Sequence, residues 1–280
     1  MTRTGVRGMA TVLPASLHLS AVPDFDGVVT LQMKNAPVNA LSSSFMESLC
    51  IAADQLARDD EVKAVILTSG LDRAVFSGGL NLAELIVKED HPEDTIDPAL
   101  VQFISHVASV TRAWLAFPKP MIAAINGASP AGGCMLALTA DYRVMQAGEK
   151  HVIGLNETQV GVQAPWWLAG LLQDAVGVRR AERMLQLGEL VGPEEALSIG
   201  LVDEVCEGRE ATHDRAVQAA ARFAAVPDHA RQATKMGLRR ALVAAMEDQA
   251  RSDAVDFAAH VQEPEVQAQL RKVVARMRKA

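Results

Sequence analysis

The sequence predicts an α/β fold: a largely parallel sheet built from strand–helix–strand units, followed by a wholly helical C-terminal part. Three observations predict it. Short, continuously apolar runs such as "KAVILTS" (63–69) and "PMIAAI" (120–125) have strand length and read as strands buried on both faces. Segments of helical periodicity separate these runs, and strands alternating with helices imply a parallel sheet. After "GLVDEVC" (200–206) helical periodicity runs to the C-terminus with no convincing strand, which sets the division at 1–206 and 207–280.

Each element has its own signal. "LHLSAV" and "GVVTLQM" read as two strands joined by a hairpin turn at "DFDG". A helix follows from about Ser43 to Arg58, then the buried strand 63–69. "PMIAAI" and "YRVM" (142–145) are further buried strands separated by helical stretches. The C-terminal helices are Ala-rich and amphipathic, punctuated by Pro227-Asp228 and Pro264, and must bury their apolar faces on the core or on another subunit.

Composition narrows the function classes. The 280 residues are 49% hydrophobic, enough for a substantial core. A net charge of −7 disfavours nucleic acid or an anionic membrane as partner, since both reward clustered Lys and Arg. Cys50, Cys134 and Cys206 are dispersed and odd in number, which indicates neither a disulfide framework nor a zinc site and suits a reducing compartment. The first 23 residues carry Arg3 and Arg7 and no acid, as a mitochondrial transit segment or a ragged bacterial N-terminus would. The uncharged run 121–140 is long enough to span a bilayer, but Asn126, Gly127, Ser129, Pro130, Gly132 and Gly133 would break a membrane helix, so no membrane insertion is expected.

Three stretches could carry chemistry. "FSGGLNLAEL" (76–85) follows a buried strand; its adjacent glycines permit a sharp turn, and a helical "LNLAELI" would leave its first amides facing a ligand. The alternative is a plain strand-to-helix turn, and neither the phosphate-loop nor the dinucleotide spacing is present. "INGASPAGGCMLAL" (125–138) repeats the device, and two such turns could each supply one N–H to a single carbonyl oxygen. The third, "GLNETQVGVQAPWW" (154–167), places Glu157 ahead of an uncharged stretch ending in Trp166 and Trp167. In an apolar pocket Glu157 would be a base of raised pKa; otherwise it caps the next segment or pairs with Arg143 or Lys150. His151 reads as an edge-strand or loop histidine, Cys134 and Met135 as helix core, and "RKVVARMRKA" (271–280) as a solvated, cationic helix end.

Together these segments resemble the enoyl-CoA hydratase/isomerase (crotonase) superfamily. "NAPVNAL", "VILTSG" with "FSGGLNL", "INGASPAGGCMLAL" with "ADYRV", and "GLNETQVGVQAPWWL" with "RAERMLQLGELVGPEEALSIGLVDEV" stand in family order over residues 17–206. Within the superfamily, the segment around Glu157 is similar to the mitochondrial-type Δ3,Δ2-enoyl-CoA isomerases. The resemblance implies a crotonase (ClpP-like) ββα spiral core with a C-terminal helical trimerisation region, hence a homotrimer or dimer of trimers. It implies an acyl-CoA thioester as substrate, with coenzyme A part of that substrate and no separate cofactor or metal. The oxyanion-hole amides fall on Leu80 and Gly132 and the catalytic carboxylate on Glu157. Gly78, Gly79, Asn81, Leu82 and Asn156 would line the thioester and acyl chain, and the "PVNAL" loop would reach the pantetheine and adenine.

Hydratases of this superfamily carry a second glutamate where this chain has Met135, which cannot transfer a proton. A single carboxylate suits a 1,3-proton shift; a hydratase or other crotonase-type lyase or hydrolase is the enzymatic alternative, and a silent scaffold of the same fold the non-enzymatic one. Gly78 stands where the family usually has Ala, and Asn81 where it has Asp, an exchange that keeps a capping acceptor without the charge. Trp166 and Trp167 are expected as walls of the acyl pocket, with core packing the alternative for one of them. The compartment implied is the mitochondrial matrix in a eukaryote and the cytoplasm in a bacterium.

Overall fold

The computed structural model describes residues 13–88, 91–92 and 94–277. The first twelve residues of the transit-like segment, residues 89, 90 and 93, and the last three of the cationic tail lie outside the described residues.

The hairpin β1 (Leu17–Ala21) and β2 (Val28–Met33) opens a six-stranded sheet, which continues through β3 (Ala64–Ser69), β4 (Met121–Ile125), β6 (Tyr142–Gln146) and β8 (Glu204–Cys206). Only the first pairing is antiparallel; the rest are parallel. A second, two-stranded parallel sheet pairs β5 (Ser129–Pro130) with β7 (Ile153–Gly154). The helix between β2 and β3, α1 (Ser43–Arg58), has the limits its periodicity predicts, and the Ser42 hydroxyl caps it by accepting from the Phe45 amide.

The continuous apolar strands are explained by two cores. Val29, Leu31, Val65, Leu67, Ala123 and Ile125 belong to the larger core, together with α1 and α2 (Pro98–Leu115). Their alternates Val28, Ala64, Ile66, Ile122 and Ala124 pack on the opposite face against Ala216, Val217 and Ala220 of α7 (Arg209–Ala224). A parallel sheet covered on both sides needs apolar residues at every position. Beyond α7 come α8 (Asp228–Asp248), α9 (Ala250–Gln262) and α10 (Pro264–Met277), with α9 against α2. A buried charge network ties α8 to the sheet: the Asp141 carboxylate accepts from the Met121 amide and from Lys235 at 2.7 Å, and lies 3.0 Å from Arg239.

Two expectations change. "LNLAELI" is not a helix with a free N-terminus but a single 3₁₀ turn, Leu82–Leu85. It stops because the chain is captured on both sides: Glu84 accepts from the Ser43 amide, and the buried Gln267 side chain of α10 accepts from the Val87 amide and donates to the Leu85 carbonyl, each at 2.9 Å. The tail is not only a solvated face. Arg271 donates to the Val87 carbonyl at 2.7 Å, and Val273 and Met277 line a cavity, Met277 at its exposed edge.

Candidate active site

The two glycine turns leave the carboxyl ends of β3 and β4, which are hydrogen-bonded neighbours with Thr68 opposite Ala124. Loops that leave adjacent parallel strands at the same end start side by side, which is where open α/β sheets bind ligands. Side chains then lock them together. Asn126 donates to the Ser69 carbonyl at 2.8 Å, and Asn39 of the "PVNAL" loop donates to the Ser69 hydroxyl and the Phe76 carbonyl. Within that loop Leu41 forms a parallel bridge with Leu80, and the Ser77 hydroxyl donates to the Asn39 carbonyl.

The turns therefore converge. A Cβ placed on Gly132 would sit 3.2 Å from the Leu80 nitrogen, and one on Gly79, where φ is +88°, would sit 3.4 Å from the Gly132 nitrogen. Neither Leu80 nor Gly132 donates its N–H to any acceptor among the described residues. Gly132 opens α3 (Gly132–Leu138), and Ala131 before it adopts φ +47° and ψ −115°, an unfavourable backbone state for a residue with a side chain. The strained peptide is held by its amide, which donates to the Gly154 carbonyl at 2.8 Å.

Glu157 begins a 3₁₀ turn, Glu157–Val160, after Leu155 and Asn156, which link it to β7, whose partner β5 leads into Ala131. The β5–β7 pair thus delivers the carboxylate to the same place as the Gly132 amide. A cavity of about 250 Å³ lies there, lined by Gly78, Leu80, Leu82, Leu85, Pro130, Ala131, Asn156, Glu157, Val160, Val162, Val273 and Met277. Glu157 is the only ionisable residue among these. It is buried, its Oε2 has no hydrogen-bond partner, and it forms no ion pair among the described residues. Arg143 pairs with Asp203 instead, and Lys150 is exposed, so the pairing alternatives are set aside. Burial pushes the carboxyl up to about 7, against a smaller lowering by its own backbone amide.

Of the expected site residues, Glu157, Leu80, Gly78, Leu82 and Asn156 line this cavity; Gly79 and Gly132 sit where the turns meet. Asn81 turns away: its side-chain amide donates to Glu84 at 2.8 Å, and it makes no capping bond. Trp166 and Trp167 are not walls of this cavity. Gly161 at φ +87° and Pro165 redirect the chain, and both tryptophans line a separate groove with Met246 and Phe257, the Trp166 indole donating to Asp253 at 2.7 Å. Leu80, Leu82, Leu85, Val160, Val162, Val273 and Met277 keep Glu157 dry instead. Met135 and Cys134 are buried in α3, and the His151 ring lies 3.0 Å from the Gln146 carbonyl in a loop. No cluster of His, Cys, Asp or Glu among the described residues could hold a metal ion.

Two backbone amides without an acceptor among the described residues, Leu80 on the cavity wall and Gly132 next to the lining residue Ala131, thus lie beside an apolar cavity that holds one carboxylate. This is the kind of arrangement that can serve proton transfer next to a carbonyl whose oxygen gains negative charge. The chain belongs to the enoyl-CoA hydratase/isomerase family, whose profile matches residues 25–277. It is 40% identical over 256 residues to the human mitochondrial enoyl-CoA delta isomerase 1, covering 90% of this chain and 80% of that protein. The crystal structure of human mitochondrial delta3-delta2-enoyl-CoA isomerase superposes with a TM-score of 0.87 at 37% identity, over 94% of this chain and 98% of that one. The probable enoyl-CoA hydratase EchA17 of Mycobacterium tuberculosis is more distant, 32% identical over 76% of this chain and 77% of its own.

Proposed function

We propose that the protein is a Δ3,Δ2-enoyl-CoA isomerase of fatty-acid β-oxidation, converting 3-enoyl-CoA to trans-2-enoyl-CoA. The observation that carries this is the single carboxylate of Glu157, with no ion-pair partner among the described residues and Oε2 without a hydrogen bond, in an apolar cavity beside the free Leu80 and Gly132 amides. Glu157 removes a proton from C2, the thioester oxygen becomes enolate-like between the Leu80 and Gly132 N–H groups, and Glu157-H returns the proton to C4. One group serves as base and then as acid because its pKa lies near neutrality. Met135, buried where hydratases of the family place a second acid, leaves no side chain at that position to deprotonate water.

Purified protein given 3-enoyl-CoA should produce the absorbance of the conjugated thioester, and a chelator should leave the rate unchanged because the reaction needs no metal or cofactor beyond the coenzyme A of the substrate. Accumulation of 3-hydroxyacyl-CoA would instead establish a hydratase. Because the base must be ionised in the free enzyme, kcat/KM should rise through a midpoint near pH 7 and level off above it. A midpoint near the ordinary glutamate value would remove Glu157 from that role.

We also infer a homotrimer or a dimer of trimers. Leu238 on α8 is 81% exposed in the single chain and Val226 beside it 46%, an apolar face that a neighbouring subunit would cover. Sedimentation velocity tests this, and a monomer would overturn it. We place the protein with β-oxidation, in the matrix of a mitochondrion or the cytoplasm of a bacterium; the relatives named above include mitochondrial isomerases, and no described helix is long and apolar enough to cross a membrane.

A further inference from the structure

We propose that the last turn of α10 sets the acyl-chain length the site accepts, with Met277 as the residue that measures it; this rests on the isomerase reading above. The cavity walls are of two kinds. Its polar end is made by the turn backbones and by Glu157, fixed by the chemistry. Leu85 and Val162 are 1% and 5% exposed and belong to the larger core, so changing them disturbs the fold. Met277 is different: it lines the same cavity yet is 58% exposed, so it forms the rim between the Glu157 chamber and solvent.

Val273 and Met277 are four residues apart and share one face of α10. Gln267, one of the few buried polar side chains, fixes how far that face projects: besides its bonds to Val87 and Leu85 it donates to the Val261 carbonyl at 2.9 Å. The Gln269 side chain packs at Gly161, at the end of the Glu157 turn. The helix is thus registered against the segments that follow both the Leu80 amide and Glu157, while its final side chain remains free to change size. A cavity of about 250 Å³ is small for a ligand site, where about 300 Å³ is already at the low end, so one unbranched, flexible side chain is a large share of the space near the rim.

The test is kcat/KM for straight-chain 3-enoyl-CoA esters from hexenoyl to hexadecenoyl with wild type, Met277→Ala and Met277→Trp. At so exposed a position both variants fold, which equal thermal midpoints verify. The Ala variant should move the preference toward longer chains and the Trp variant toward shorter ones, each changing the long-to-short ratio roughly tenfold. Any result other than opposite displacements in an active enzyme overturns the proposal and leaves the isomerase reading standing. A wild type that conjugates no ester of any length overturns that reading, and the proposal with it.

Discussion

Glu157→Gln is expected to lower kcat on 3-enoyl-CoA by on the order of 10⁴-fold while KM stays close to the wild-type value. General acid–base groups contribute up to about that factor, and here one carboxylate performs both the removal and the return of the proton. Gln is nearly isosteric, so the apolar walls and the two amides remain in place and ground-state binding persists. Stability should move the other way. The folded state holds the Glu157 proton more tightly than the unfolded chain, from an ordinary 4.5 to about 7, so this group's contribution is fully present below pH 4.5 and is lost as pH rises through 7. At pH 8 the native protein therefore carries a buried charge with no ion-pair partner among the described residues, costing about 3 kcal/mol, and the Gln variant should be more stable there by up to that amount while showing little gain at pH 5. Urea denaturation at the two pH values reads the difference. A variant that kept wild-type turnover would mean that another group moves the proton.

The sequence carried the parts of this site that depend on local pattern. Runs such as "KAVILTS" announce strands buried on both faces, helical periodicity locates α1, and glycine pairs after strands mark sharp turns; each signal lies within a dozen residues. That the turns meet follows from β3 and β4 being neighbours in the sheet, a property of strand order that spacing does not encode. The resemblance to a family supplied that link. The missed parts are long-range. Val273 and Met277 belong to an apolar stripe on a cationic tail, and contacts distant in sequence bring them to Glu157: Gln267 and Arg271 on Val87, Gln267 lying 180 residues from it, and Gln269 at Gly161. Nearness along the chain to Glu157 does not make Trp166 and Trp167 its pocket walls, because the left-handed Gly161 lies between; Trp167 packs in the core, the alternative expected for one of the pair, and Trp166 stays exposed. Asn81 answers to Glu84 rather than to the helix amides its type usually caps.

Gly127→Ala should be the most damaging single methyl in the region, costing about 4 kcal/mol or more and abolishing most activity even where the protein still folds. A Cβ on Gly127 would lie 2.2 Å from both the Ala74 carbonyl carbon and the Val75 nitrogen, so backbone, not a rotatable side chain, must give way. The backbone there is the joint between the two turns. Ala128 donates to the Ala74 carbonyl at 3.1 Å and accepts from Phe76 at 2.9 Å, and Phe76 leads within four residues to Leu80. Pushing residues 74–75 away stretches both bonds and shifts the Leu80 amide relative to that of Gly132; losing one donor of such a pair typically costs about 2.7–4 kcal/mol of transition-state stabilisation. The loss should fall on kcat more than on KM, since the amides act where charge develops. Gly170→Ala is the matched control: that glycine lies within α4 (Trp166–Val176), a Cβ there meets nothing within 4 Å, and the exchange should be neutral or stabilise by up to about 1 kcal/mol. If Gly127→Ala instead denatured at the wild-type urea concentration with unchanged kcat, the close approach of the two turns would not be what holds their amides on one oxygen.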